Sequence, residues 1–378
     1  MVYLDNAATS YPKAPGVASA MADYVEKVGA TINRSSYASA QEAGLVTLSL
    51  RERLCRLFNH PDPTHAVLTH GATAGLNMVI KGLLRPGDHC LVSSMEHNAV
   101  MRPLVQLERE GVAFERIPCD AQGRLRLEAL PGMIKLNTRL VVMAHGSNVC
   151  GTVQDAEAVG KICRERGVPF ALDAAQTAGH IEVDFERFGL SALVVPGHKG
   201  LLGPQGIGAL LLDADFARRL TPLVAGGTGS ASDSEELPDW MPDRFESGTP
   251  NMPGVYGWEA ALGWLENTGI ETLENHEKTL LKRFLEGIYG LKNVKLYGIT
   301  VPERRTGVFS VGFLNCDNAE AAWRLEREFG ILTRCGLHCA PSAHKTLGSF
   351  PEGSVRFSTG WANTEADIDA ALSAIAAI

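Results

Sequence analysis

No basic run occurs in this sequence. Its 35 lysines and arginines are outnumbered by 43 aspartates and glutamates, for a formal net charge of −8 over 378 residues. Proteins that grip a phosphate backbone do so by releasing counterions with clustered cations, so nucleic acid is not an expected partner. No apolar stretch approaches the roughly 20 residues that cross a bilayer. The first residues, Met1-Val2-Tyr3-Leu4-Asp5, have neither the charged nor the apolar region of a signal peptide, so no membrane association is expected. The eight cysteines are scattered and lack the spacing of a disulfide framework, which points to the reducing cytoplasm. Internal repeats and low-complexity tracts are missing too. What remains is 45% hydrophobic and 21% charged, an ordinary soluble globular composition. The length suits one large domain with a smaller one.

Along the chain, short apolar runs alternate with helical patterns. Strands are predicted at 66–69, 90–93, 113–117, 140–144, 170–173, 193–195 and 207–212, with helices at 72–84, 99–109 and 156–166 between them. Such alternation implies a mostly parallel sheet with helices on both faces, whose functional residues gather beyond the strands' carboxyl ends. Ahead of it lie an extended arm over 1–14, a helix starting near Pro15, and a long amphipathic helix over 41–58 with Leu45, Leu48, Leu54 and Leu57 on its apolar side. The loop over 226–251 is long and poor in apolar residues, a mark of function or mobility. Helices are predicted at 253–267 and 270–289. The last ninety or so residues change rhythm, with strands at 294–297, 308–312, 331–334 and 355–358 and helices at 318–329 and 365–377, an α+β unit.

Between the sixth and seventh predicted strands, Lys199 follows His198 in a turn holding five glycines and Pro204. A lysine enclosed in such a turn loses its proton more readily and can form a Schiff base; a hairpin whose lysine points to water is the plainer alternative. After the first strand, Gly71-Ala72-Thr73-Ala74-Gly75 opens a helix with small residues, a surface that an anion can approach. It lacks the spacing of a nucleotide P-loop or a dinucleotide fold. His97 ends another strand, suited to lie against an aromatic ligand, to transfer protons, or merely to cap a helix. Asn148 follows a further strand. Asp173 closes an apolar one, where a carboxylate needs a cationic or protonated partner unless it caps the next helix. Near the carboxyl end, Arg334 and Cys339 share a Gly- and Pro-bounded loop, and Arg356 offers a second fork for a carboxylate. Cys335, His338, Cys339 and His344 do not follow a standard zinc spacing, and no metal is expected.

Taken together, Tyr3 to Thr9 (YLDNAAT), Gly-Ala-Thr at 71–73, Glu-His at 96–97, Ser-Asn-Val at 147–149, Asp-Ala-Ala-Gln at 173–176, Gly-His-Lys at 197–199, Ser-Gly-Thr-Pro-Asn at 247–251 and Arg-x-Gly-Leu-His-Cys at 334–339 resemble the cysteine desulfurases, class V aminotransferases that use pyridoxal 5′-phosphate (PLP). The resemblance spans the chain in order. It implies the α/β fold type I of PLP-dependent transferases: an arm (1–14) joining the small domain, a large PLP-binding domain (15–250) with a mostly parallel seven-stranded sheet, and a small α+β domain (251–378) carrying the Cys339 loop. It further implies that Lys199 holds PLP as a Schiff base, Asp173 pairs with the ring nitrogen, Gln176 bonds the ring oxygen and His97 stacks on the ring. Thr73 and His198 would bind the phosphate, with Thr249 reaching the phosphate of the partner subunit in a homodimer. Asn148 and Arg356, with Arg334 nearby, would hold the substrate carboxylate. L-Cysteine would become L-alanine through a Cys339 persulfide, and the sulfur would pass to an acceptor protein or small thiol.

Two departures stand out. The residue three before the lysine, usually a serine that binds phosphate in related desulfurases, is Pro196, so either Gly227, Thr228 or Ser230 would substitute or phosphate binding would be weaker. Cys335 lies close to the nucleophile and could resolve a persulfide, pair with it, or be inert. Selenocysteine lyase, with L-selenocysteine as substrate, or another class V PLP enzyme is the competing reading; it would share Lys199, Asp173 and His97.

Overall fold

The computed structural model describes residues 1–33 and 35–378. The chain enters through a short strand, β1 (Val2–Tyr3), and then builds a seven-stranded sheet from β2 (Ala66–Thr69), β3 (His89–Ser93), β4 (Ala113–Ile117), β5 (Thr138–Ala144), β6 (Phe170–Asp173), β7 (Ala192–Pro196) and β8 (Gly208–Leu212). The strand order is β2-β8-β7-β6-β5-β3-β4. Only β8 runs against its neighbours, pairing antiparallel with both β2 and β7. That reversal follows from the short link between β7 and β8, since a parallel return needs a long crossover. The hairpin carrying Lys199 is therefore present as the spacing predicts.

The central strands are continuous apolar runs because both faces are covered. Within β7, Leu193 and Val195 join the core on one face, and Ala192 and Val194 the core on the other. The helices Ala72–Leu83 and Asn98–Glu108 cover the second face; Ala38–Phe58, Ala156–Glu165 and Met252–Thr268 cover the first.

The long helix differs from expectation in which side it buries. Ala43, Thr47, Leu50, Leu54 and Phe58 face inward, whereas Leu45 is 67% exposed and Leu48 43% exposed. Leucines lie on both of its sides, so the pattern alone merges two stripes into one.

The rest of the chain forms a four-stranded antiparallel sheet from β9 (Val294–Tyr297), β10 (Val308–Phe313), β12 (Arg334–Gly336) and β13 (Ser354–Ser358), in the order β12-β13-β10-β9. The strand predicted at 331–334 is split. Its first part, β11 (Ile331–Leu332), pairs in parallel with β1, while β12 pairs with β13. Two different partners claim the two halves, and Thr333 belongs to neither. Leu4 of the arm is fully buried in the core of this second sheet, beside Phe284, Phe309 and Phe357.

Candidate active site

Lys199 lies just beyond the end of β7, in a turn pressed against the turn at 177–180. A Cβ on Gly200 would overlap the Ala178 carbonyl oxygen, so only glycine permits that approach. The turn is also held from the amino-terminal arm. The His198 carbonyl accepts from Ser10 N (3.0 Å), Thr9 Oγ1 (3.1 Å), Ser10 Oγ (3.1 Å) and Lys13 Nζ (2.9 Å). Burial lowers the Lys199 ammonium to about 8, with Arg356 and Arg334 pushing the same way and Asp173 opposing them. An amine so placed is available as nucleophile and base near neutrality. In place of a lysine pointing to open water, the turn presents a half-buried one on the wall of a cavity.

A cavity of about 690 Å³ opens around it, lined by Thr73, His97, Asn148, Asp173, Gln176, His198, Arg334 and Arg356 as well as Lys199. These side chains come from the carboxyl ends of the strands and from β12 and β13, where a sheet of this kind gathers its chemistry. Asp173 ends β6 and accepts one hydrogen bond, from Ala175 N at 3.0 Å. Burial raises its carboxyl above the ordinary range, while the Ala175 N–H and Lys199 work in the other direction. A cationic or N–H-bearing ligand would complete its bonding. His97 caps the helix Asn98–Glu108, its Nδ1 accepting from Ala99 N at 3.0 Å, which leaves the proton on Nε2. Burial and then Lys199 bring it down to about 4, so it is a neutral ring at pH 7. It is both a cap and a cavity wall.

At the opposite end, Ala72, Thr73 and Ala74 open a helix whose cap, Gly71, has φ +136°. The Nδ1 of His198, another residue of the cavity wall, is buried without a partner. Ala74 N donates to Gly71 O at 3.0 Å, but the small residues of a helix start and an unpaired ring nitrogen suit an anionic oxygen. Pro196 lines this end and supplies no hydroxyl. Thr228 and Ser230 do not line the cavity: their hydroxyls bond one another at 3.0 Å, and Ser230 Oγ donates to Asp243 at 2.6 Å. His70 and Gln205 stand at the cavity instead.

Gln176 donates to Ala7 O at 3.0 Å, using one of its amide hydrogens. Asn148 donates from Nδ2 to His338 O at 2.6 Å, and its own carbonyl accepts from Arg356 Nη1 at 3.1 Å. Arg356, 1% exposed, also donates to Asp5 Oδ1 at 2.6 Å. Cys339 is exposed and does not line the cavity, but Arg334 of the cavity wall donates from Nη2 to its Sγ at 3.6 Å. Cys335 sits on β12 with its thiol pushed up by burial and then by Asp317.

Thr249 lies apart, in a second cleft with Asn33, Thr69 and Thr228. Its loop is anchored by Glu246, which forms a two-pronged pair with Arg51 (both contacts 2.7 Å) and accepts Leu68 N at 2.6 Å. Sequence reasoning assigned no role to Asp5, Lys13, Glu96 or His338. Asp5, Glu96 and His338 stand within the quoted motifs; Lys13 has no signal beyond its place in the arm.

The family model for class-V aminotransferases matches residues 2–371. A "Probable cysteine desulfurase" of Methanothermobacter thermautotrophicus is 32% identical over 97% of this chain and 92% of its own length. A cysteine desulfurase of Cronobacter sakazakii is 30% identical over 98% of this chain and 91% of its own. Among solved structures, the apo cysteine desulfurase of Thermococcus onnurineus superposes with a TM-score of 0.93 at 31% identity, covering 100% of this chain and 94% of that one. The Escherichia coli cysteine desulfurase CsdA, in an S-sulfonic acid form, gives 0.88 at 28% identity, covering 99% and 93%. Matched from end to end in sequence and in fold, the chain belongs to the class-V aminotransferase family, among its cysteine desulfurases.

Proposed function

We propose that the protein is a PLP-dependent cysteine desulfurase that converts L-cysteine to L-alanine and holds the sulfur on Cys339 before passing it to an acceptor protein or small thiol. The observation that carries this reading is the cation of Arg334, shared between the Lys199 cavity and the exposed Cys339 thiol. The cavity fits PLP in three places: the half-satisfied Asp173 carboxylate for a ring nitrogen, the Lys199 amine for the aldehyde carbon, and the orphaned His198 Nδ1 with the Thr73 helix start for the phosphate. When bound, PLP supplies an electron sink for the carbanion at the substrate's Cα.

The chain's own residues do the rest. Arg356 and Asn148 receive the substrate carboxylate. Lys199, its ammonium brought down to about 8 by burial, takes the Cα proton at Nζ as the free amine. His97 presents its ring to the cofactor and keeps water from that face. Cys339 Sγ, as thiolate beside Arg334, attacks the substrate sulfur; an S–S bond forms as the Cβ–S bond breaks, its electron pair stays with Cβ, which takes a proton, and Lys199 returns its proton to Cα to give alanine.

We further propose a homodimer in which Thr249 serves the partner's phosphate, since Thr249 is outside its own Lys199 cavity. Eight free thiols favour a reducing, cytoplasmic setting. The arm over 1–14 belongs with the smaller unit. The large unit starts at 15, and we place the passage between the units near Gly269 rather than at 250–251, because Met252, Trp258 and Leu265 pack in the core of the large sheet.

Mass spectrometry after adding cysteine tests the reaction. The expected result is one added sulfur on Cys339 with stoichiometric alanine; alanine formed equally well by Cys339→Ala would overturn it. Lys199→Ala is expected to remove both the yellow colour and turnover. A wild-type protein that cannot be coloured with PLP would overturn the cofactor assignment.

A further inference from the structure

Arg334 and Arg356 stand directly opposite each other across the β12–β13 ladder. Like charges in register repel, and a guanidinium as buried as that of Arg356 needs a counter-charge. Asp5 supplies it, with Oδ1 2.6 Å from Nη2. The placement of Asp5 is not left to a flexible terminus. Asp5 bridges to Ser358, two residues beyond Arg356. On either side of it, Ser358 N donates to Leu4 O (2.7 Å) and Ala7 N to Ser358 Oγ (2.9 Å). The arm thus runs beside the strand bearing the arginine and delivers a carboxylate to it. The Asn148 carbonyl fixes Nη1, so the guanidinium is held at two corners while its other N–H groups remain for a ligand. Asp5 thus offsets the charge of one of two facing guanidiniums and fixes its direction.

We infer that Asp5 is a positioning residue for the substrate: it orients Arg356 in the cavity wall so that the guanidinium receives one carboxylate, that of an α-amino acid. The inference rests on the amino-acid-processing function proposed above. A purely structural Asp5 would hold the arm in place without distinguishing ligands that have a carboxylate from those that lack one.

Alanine and ethylamine differ only by that carboxylate. Their binding to the PLP-loaded protein can be followed through the cofactor's visible band. Wild type is expected to prefer alanine. Asp5→Ala is expected to cut that preference by about tenfold, with ethylamine affinity unchanged. Asp5→Asn keeps an oxygen at the same reach and should shift the ratio the same way by less; it decides the matter if the alanine variant does not fold. A preference that survives in a folded variant overturns the role of Asp5 alone. No preference in wild type overturns both that role and the proposed function.

Discussion

Asn148 Nδ2 donates to the carbonyl of His338, one residue before the exposed Cys339, at 2.6 Å. The next carbonyl, that of Cys339 itself, accepts from Asn98 N at 2.8 Å. These two bonds hold a segment that resists its own conformation, since His338 and Cys339 have φ of +48° and +58°. Left-handed backbone costs roughly 1–2 kcal/mol per non-glycine residue. Asn148 therefore grips the nucleophile's loop as well as facing the cavity. Asn148→Ala is expected to lower kcat for desulfuration about tenfold or more and to weaken alanine binding severalfold as well. Hydrogen exchange over 335–341 should accelerate in the same variant. A large loss of alanine affinity with unchanged exchange would instead make carboxylate binding its whole role.

The contact between Arg334 Nη2 and Cys339 Sγ bears on the sulfur's reactivity. A hydrogen bond from a guanidinium favours the charged acceptor over the neutral one, and the thiolate is the form that attacks sulfur or an alkylating agent. Arg334→Gln is expected to slow iodoacetamide labelling of Cys339 severalfold at neutral pH. Mass spectrometry of the labelled peptide reads this without turnover. Faster labelling would mean that Arg334 shields the sulfur rather than activating it.

Much of the large sheet was legible because a strand covered on both faces has no polar face, and an unbroken apolar run is visible without knowing its neighbours. Lys199 was legible as a site only in company with Asp173, His97 and Thr73, each at a strand end or helix start. The structure adds what depends on distant pairing. Asp5 and Arg356 are 351 residues apart in sequence, and nothing local in either stretch specifies the other. The split of 331–334 into two strands depends on β1. The buried face of the helix Ala38–Phe58 was misread because a leucine at an outward position looks the same in sequence as one at an inward position.

Glu96 is fully buried between the ends of β3 and β5, contacting Ser93 Oγ and accepting Ala144 N at 3.0 and 3.1 Å. Burial is the main reason its carboxyl rises to about 8, with Asp173 adding to the effect and the Ser93 and Ala144 bonds restraining it. The folded protein thus keeps a proton here that the unfolded chain releases near 4.5. Stability from this group is full below about 4.5 and is lost as pH rises through about 8. Asp173, also raised, slopes the same way, whereas Lys199 and Lys13, both lowered to about 8, slope the other way above it. The difference between wild type and Glu96→Gln removes those shared slopes. The apoprotein of Glu96→Gln is expected to gain in Tm relative to wild type between pH 5 and 8. A constant difference across that range would show that Glu96 does not titrate there.

Leu45 and Leu48, 67% and 43% exposed, form an apolar stripe on the side of their helix away from Leu50 and Leu54. Val25 (66%) and Tyr37 (54%) add apolar surface in neighbouring segments of the chain. Covering a leucine contributes roughly 1.5–3 kcal/mol, so this surface is a reasonable place for a second copy to dock. The same docking would have to bring Thr249 to the partner's cavity if the shared-site proposal holds. Leu45→Asp combined with Leu48→Asp leaves the inward stripe intact and should therefore spare the fold. Sedimentation velocity is expected to show the double variant as a monomer at concentrations where wild type is a dimer. Its affinity for PLP should fall with dimer loss, because the partner's Thr249 would no longer reach the phosphate. A monomer that binds PLP as wild type does would separate the two claims, leaving the leucines at the interface and removing Thr249 from the phosphate site. A double variant that remains dimeric would place the interface on another face.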